Sequence, residues 1–383
     1  MRLHSIRLVL CACIAFGLRA EEARQSSKAA LAVNRLIKAA RIYDKEEMSA
    51  ASWALSRIGK PAVPALIRAM SDFDDNVRWQ AVVAMGRIGY PGAKAATPVI
   101  VKALGDIDPD VRGASAVSLG MFKQKSPQII GALRKNLRDE HGMVRSDAHW
   151  ALWVLVREPQ AVPALIALLN HKDWMVSHGA AHHLGEIGEP AVLPLIKHLT
   201  SKTPRGRHLA AEALGRIGPD ASVCIPALIA ALEDKDKLVV EASIRSLGQL
   251  GSAAIIPLLA FLKSEKGTAK RDAIRALGEF SEEAAPAVPL LVKLLNTEPE
   301  IQAQCIQTLG MIGPKAASAF KDIEVFLGHP NPDFRGAAAQ ALGRIGEDAG
   351  GALPRLKALA ENDKADFVRA AAGQAIGLIQ GTE

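Results

Sequence analysis

Apolar residues recur along this chain at i, i+3, i+4 and i+7, and short polar turns interrupt them. In the stretch Pro61 to Gly89, PAVPALIRAMSDFDDNVRWQAVVAMGRIG, the residues Val63, Leu66, Ile67 and Met70 form one such stripe. Val77, Ala81, Met85 and Ile88 form a second. The spacing predicts two amphipathic helices. Pro64 falls in the first turn of the first helix, where its missing amide donor does no harm. Asp72, Asp74 and Asp75 make a polar turn and place negative charge at the start of the second helix. Gly89 follows the last periodic residue, where a left-handed cap suits glycine. No stretch alternates as a half-buried strand would.

The unit repeats. The phrase Leu-Gly-x-Ile-Gly has its first position at Leu55, Met85, Leu119, Leu152, Leu184, Leu214, Leu247, Leu277, Leu309, Leu342 and Ile376, in steps of 30 to 34 residues. That period marks stacked helical pairs in which each repeat touches mainly its neighbours. First-turn prolines return at Pro98, Pro163, Pro194, Pro226, Pro257, Pro289 and Pro354, and cap glycines at Gly188, Gly218, Gly251, Gly313 and Gly346. A further glycine lies inside the second helix, from Gly86 and Gly120 to Gly343 and Gly377. Glycine there costs about 1 kcal/mol against alanine, so its recurrence implies close helix approach. An arginine seven residues before the Leu-Gly pair (Arg78, Arg112, Arg145, Arg207, Arg335, Arg369) follows acids such as Asp74, Asp108 and Asp333, and such pairs are expected to ladder between repeats.

Pro-x-Leu in the first helix, then Asp-x-x-Val-Arg, Ala-x-x-Ala-Leu-Gly and Ile-Gly, resemble HEAT repeats, in particular the short class found in phycobilin lyases and deoxyhypusine hydroxylases. The resemblance implies an all-α fold: a right-handed α-α superhelix, or solenoid, of about eleven HEAT-like helix pairs over residues 26–380, ending near 59, 89, 123, 156, 188, 218, 251, 281, 313, 346 and 380. A degenerate first pair is expected from Ser26 to Gly59, one helix running through Leu31, Leu36 and Ile42 and the next from Glu46 to Ile58. Lys123 to Ser126 and Arg157 to Glu158 are irregular connections. No glycine- or serine-rich linker divides the chain.

Composition adds little about chemistry. Aromatics are 4% and the net charge is +7, with Arg2, Arg7 and Arg19 all in the first twenty residues. Acids and bases otherwise interleave, which argues against nucleic acid as a partner. Residues 1–20 resemble a signal peptide: Arg2 and Arg7 precede the apolar run Leu8 to Leu18, with Gly17 and Ala20 as small residues near a cleavage site. The run is too short to span a bilayer. It predicts export to a periplasmic or extracellular site, with lipidation at Cys13 as the lesser variant and no integral membrane segment after signal removal. Cys224 and Cys305 are expected as buried small hydrophobes and not as a bridge.

In families of this kind the second helices line the concave face. The positions one, five and nine residues after the arginine slot share one helical face. They give Trp79, Val83, Arg87, Val117, Met121, Trp150 and Val154 in the early repeats, an apolar floor bearing tryptophans. In the middle repeats they give His178, His182, Glu186, His208, Glu212, Arg216, Glu241, Arg245, Arg271 and Arg275, which are densely ionisable. The late repeats are bland. Such a face suits a protein or peptide segment, with Trp150 either part of it or simply filling the space where Trp153 replaces the usual glycine.

His178 and His182 at i, i+4, with His208 and Glu212, are the candidate metal ligands. Deoxyhypusine hydroxylase holds two irons through His-Glu pairs that begin directly after the arginine slot. Here that place reads His178-Gly179 and His208-Leu209, so the carboxylates are missing and a di-iron oxidoreductase site is disfavoured. Asp147 beside Trp150 invites comparison with helical-repeat DNA glycosylases, which the weak charge balance disfavours. No phosphate loop, His-Glu-x-x-His, Cys-x-x-Cys or Gly-x-Ser-x-Gly is present. The expectation is a non-enzymatic protein-interaction scaffold with no cofactor and no catalytic residue.

Overall fold

The computed structural model describes residues 24–264 and 268–381. The expected signal peptide lies outside the described residues, which hold helices and turns and no strand. The chain divides into two compact units, one ending at His183 and one beginning at Leu184.

Unit 1 contains α1 (24–41), α2 (Lys45–Ile58), α3 (Val63–Ala69), α4 (Asp75–Ile88), α5 (Thr97–Ala103), α6 (Pro109–Phe122), α7 (Pro127–Asn136), α8 (Gly142–Val156), α9 (Ala161–Leu168) and the start of α10 (Trp174–Ile187). Unit 2 continues with α11 (Val192–His198), α12 (Pro204–Ile217), α13 (Ile225–Ala230), α14 (Lys237–Gln249), α15 (Ile255–Ser264), α16 (Thr268–Gly278), α17 (Val288–Thr297), α18 (Gln302–Ile312), α19 (Phe320–Glu324), α20 (Pro332–Ile345), α21 (Leu353–Asn362) and α22 (Asp366–Gln380). Odd numbers are the first helices of the pairs and even numbers the second.

Within each unit, successive second helices pack side by side, and first helices pack on their own second helices, as α3 does on α4 and α21 on α22. The leading residue of the repeated phrase explains the register. Leu55, Met85, Leu119 and Leu152 in unit 1, and Leu184, Leu214, Leu247, Leu277, Leu309 and Leu342 in unit 2, are fully buried. Burying each such side chain stabilises the fold by roughly 1.5–3 kcal/mol. In the opening pair the buried residues of α1 are Ala29, Ala32, Val33, Leu36, Ala39 and Ala40, while Leu31 and Ile42 are exposed. The expected stripe is thus rotated, because alanines carry most of it.

Second helices begin on side-chain caps. Asp44, Asp74, Asp108, Thr203, Asp236 and Asn331 each accept a backbone amide of the first turn. Several end on glycines of positive φ, from Gly59 and Gly89 to Gly313 and Gly346. At the two irregular connections Lys123 and Arg157 take the left-handed conformation instead, with φ of 53° and 55°. The inner glycines meet the next second helix. A Cβ at Gly310 would lie 2.8 Å from Ala341 Cα, and one at Gly343 2.8 Å from Ala375 Cα, so backbone and not a movable side chain fills the space.

Four of the six slot arginines form a ladder, though not with the acids that precede them. Arg369 pairs with Asp366 three residues before it, and Arg145 donates to the Asp139 and Glu140 carbonyls. Asp74 and Asp108 are occupied as caps. Arg78 instead pairs bidentately with Asp106 at 2.9 and 2.7 Å, and Arg112 with Asp139 at 2.7 and 2.9 Å, each one repeat further on. In unit 2, Arg207 pairs with Asp234 and Arg335 with Asp363 in the same way, and Lys270 with Glu298 takes the equivalent role. The second arm of each guanidinium donates to carbonyls of its own turn, as Arg112 does to Asp106 and Ile107. Burial alone would raise the carboxyls of Asp106 and Asp139. The arginine and backbone hydrogen bonds outweigh it and hold both below the usual carboxylate range. Cys224 and Cys305 are buried and unbridged, and burial pushes both thiols up to about 12.

Candidate functional site

Unit 1 carries a groove of about 510 Å³ along its second helices. Asp75, Trp79, Val83 and Arg87 of α4 line one wall, at the four-residue spacing that keeps side chains on one helical face. Asp110, Ala114, Val117 and Met121 of α6 line the floor, with Met143 and Asp147 of α8 and Met175 of α10 opposite. Trp79, Val83 and Val117 are half-buried, and Met121 and Met175 are exposed. Methionine and tryptophan together give a large, adaptable apolar surface.

The groove is also acidic. Asp75, Asp108, Asp110 and Asp147 line it, and Arg87 is the one basic residue among its lining. The Arg87 guanidinium already lies over the Trp53 ring, 5.5 Å from its centroid. Asp108 is committed to capping α6. Burial, and then the negative charges of Asp108, Asp75 and Asp147, push the Asp110 carboxyl up.

Asp147 is the least expected of these residues. Its side chain is buried, and Oδ1 accepts from His183 Nε2 at 2.8 Å. Oδ2 lies over Gly113, 2.5 Å from where a Cβ would stand, so a side chain there would push the carboxylate aside. His183 in turn stacks on Trp150, with ring centroids 5.3 Å apart. The aspartate is therefore fixed from behind and presents its second oxygen at the groove floor.

Trp150 itself does not line the groove. It is 8% exposed and packs against Gly120, and its indole N–H has no acceptor among the described residues. The position one turn after Asp147 lies at the edge of the interhelix contact, and the bare backbone of Gly120 draws a large ring inward. Val154 is half-buried on the same helix. Of the histidines in unit 1, His178 stacks on Trp174 at 4.2 Å and its Nδ1 lies 3.0 Å from the Trp174 carbonyl. His182 packs edge-on against His183. The two members of the i, i+4 pair are thus drawn to different neighbours.

In unit 2 the equivalent stripe pairs with itself. Glu212 Oε1 lies 3.4 Å from Arg245 Nη2 and 3.5 Å from His208 Nε2, while His208 Nδ1 meets the Leu238 carbonyl at 2.9 Å. Glu241 pairs with Arg275 at 2.5 Å, and Arg271 reaches the Glu300 carbonyl. Glu186 and Arg216 are exposed, and the aliphatic part of Arg216 covers Gly185.

The sequence matches the HEAT repeats family over residues 33–96, 63–153, 130–206, 192–278, 255–323 and 288–377. The chain belongs to the HEAT-repeat family, and its fold is an all-α solenoid. It is similar to Kap95p, yeast importin-beta, in a structure with RanGDP: 14% identity, a TM-score of 0.56, and coverage of 96% of this chain and 59% of that one. Kap121p bound to RanGTP is similar at 15% identity and a TM-score of 0.55, over 92% of this chain and 45% of that one. Deoxyhypusine hydroxylase from Rattus norvegicus is 30% identical over 77 residues, 20% of this chain and 25% of that protein. The chain thus spans a quarter of that relative's length and less than two thirds of either solved structure.

Proposed function

We propose that this chain is a non-enzymatic protein-interaction scaffold that takes a polypeptide segment along the second-helix face of unit 1. The observation that carries this reading is the groove in which Trp79, Val83, Val117 and Met121 leave apolar surface open beside carboxylates. Apolar anchors next to polar groups are the usual composition of a protein contact. Four carboxylates facing one guanidinium repel a phosphate backbone, which supports polypeptide over nucleic acid. The solved neighbours agree in kind, since Kap121p is bound to RanGTP in its structure. The weak stretch of identity with deoxyhypusine hydroxylase does not favour a metal oxidase here. The places after the arginine slot hold Gly179 and Leu209 where a His-Glu pair would need carboxylates.

The proposal includes export through residues 1–20, which mass determination of the mature N-terminus tests directly; an intact Met1 in the recovered protein overturns that part. For the groove, a photo-reactive amino acid at Met121 is expected to give protein adducts in the native organism. The same group at Gln128, exposed on α7, is expected to give none. Equal labelling from both positions, or none from Met121, counts against the scaffold function.

A further inference from the structure

Resting on the scaffold function above, we propose that the groove of unit 1 selects a segment carrying a lysine or arginine beside an apolar anchor, and that Asp147 Oδ2 receives the cationic head. Asp147 is 7% exposed, and its one hydrogen bond, through Oδ1, is to His183. Its second oxygen faces the groove over Gly113 and has no partner among the described residues. A buried carboxylate with a vacant acceptor is a strong site for a charge-assisted hydrogen bond, because little water competes there.

The surroundings favour a cation on a long stem. Trp79, Val117, Met121 and Met143 offer apolar walls to methylene groups, and Trp79 offers a ring face to a charge. Asp75 and Asp110 add negative charge among the lining residues, and the Asp110 carboxyl is pushed up first by burial and then by the neighbouring charges of Asp108, Asp75 and Asp147. A bound cation relieves that crowding. An acidic segment would add to it, and a purely apolar one would leave Asp147 desolvated without a partner.

The test uses the full 383-residue chain and a phage-displayed library of random dodecapeptides. Selected peptides are made with a fluorescent label and titrated by anisotropy against the wild type, Asp147→Asn, Asp110→Asn and Val117→Glu. Peptides with a lysine or arginine next to a large apolar residue are expected. Replacing that cation by norleucine should weaken wild-type binding at least about tenfold and binding to Asp147→Asn less than about twofold, a coupling that locates the contact. Asp110→Asn, at an exposed position, should weaken the cationic peptide by about two- to fivefold and keeps the test valid if Asp147→Asn folds poorly.

Peptides weakened by Val117→Glu but indifferent to loss of the cation, or losing the same affinity on both backgrounds, overturn the cation selection and leave the scaffold function standing. Peptides indifferent to Val117→Glu, or a library yielding no binder, overturn both.

Discussion

The second helices of unit 1 and unit 2 both carry many ionisable residues, but in opposite states. In unit 2, Glu212 faces Arg245 and His208, and Glu241 faces Arg275, so both of these carboxylates have a basic neighbour. In unit 1, Asp75, Asp108, Asp110 and Asp147 share a groove whose one basic lining residue, Arg87, is turned over Trp53. The density of charge is therefore a poor guide to a binding surface. A paired stripe has met its own demands, and a partner would have to break those pairs. A crowded run of carboxylates beside open apolar surface has demands left over, and those fall in unit 1, not on the more densely ionisable second-helix stripe of unit 2.

The largest test of this contrast concerns two tryptophans of unit 1. Trp150 is packed into the helix layer and Trp79 lines the groove. Trp150→Ala is expected to destabilise the unit by about 3–5 kcal/mol, the range for emptying a core aromatic site. Trp79→Ala should cost about 1 kcal/mol or less, as for most changes on an open surface, yet remove more of the peptide affinity. Chemical denaturation of the two variants decides it. Equal losses of stability would mean that Trp79 is as structural as Trp150 and that the groove is a packing defect.

Next in size is the arginine ladder. The Arg112 and Asp139 side chains are about one-tenth exposed, and the arginine also holds two carbonyls of its own turn. Arg112→Met leaves a shielded carboxylate without its partner and is expected to cost about 2–4 kcal/mol. The pH dependence follows in sign. Asp106 and Asp139 have carboxyls held below their ordinary value, so around that value the unfolded chain binds more protons than the folded one. Their contribution is full above the ordinary carboxylate range, about pH 4, and drains away as pH falls through the lower folded values. Unfolding midpoints should fall on acidification toward pH 3, and less steeply in Arg112→Met than in the wild type.

How far these features could be read beforehand depended on their period. The helix pairs, the buried leucine and the glycine of close approach recur in most repeats, and repetition makes each legible from residues such as Leu119 and Gly120. The arginine is legible for the same reason, but its partner is not, because the nearest acids before it, such as Asp74 and Asp108, serve as caps. The acid it uses comes one turn early in the next repeat, as Asp106 does for Arg78, and that acid recurs too at Asp139, Asp234 and Asp363. Asp147 fills no repeated slot, and Trp150 fills one that Val83 and Val117 occupy in the preceding repeats. Their roles follow from single neighbours, Gly113, Gly120 and His183, which spacing along one helix does not reveal. Helical spacing alone placed Trp150 on the open face, whereas the alternative that it fills space agrees with its burial.

The smallest expected effect is the one that separates the two units most cleanly. Glu212→Gln removes a carboxylate that is about one-third exposed and held at 3.4–3.5 Å, long for a charged hydrogen bond. Such pairs contribute about 0–1 kcal/mol, so thermal unfolding should move little and the change should shrink further in salt. Peptides selected on the chain should bind this variant as they bind the wild type, since the substitution lies in unit 2 and the groove in unit 1. A fall in affinity as large as that from Asp110→Asn would show that the paired stripe is also a contact surface. The distinction between satisfied and unsatisfied charge would then fail, because a carboxylate already facing Arg245 would be doing the same work as one held in no ion pair.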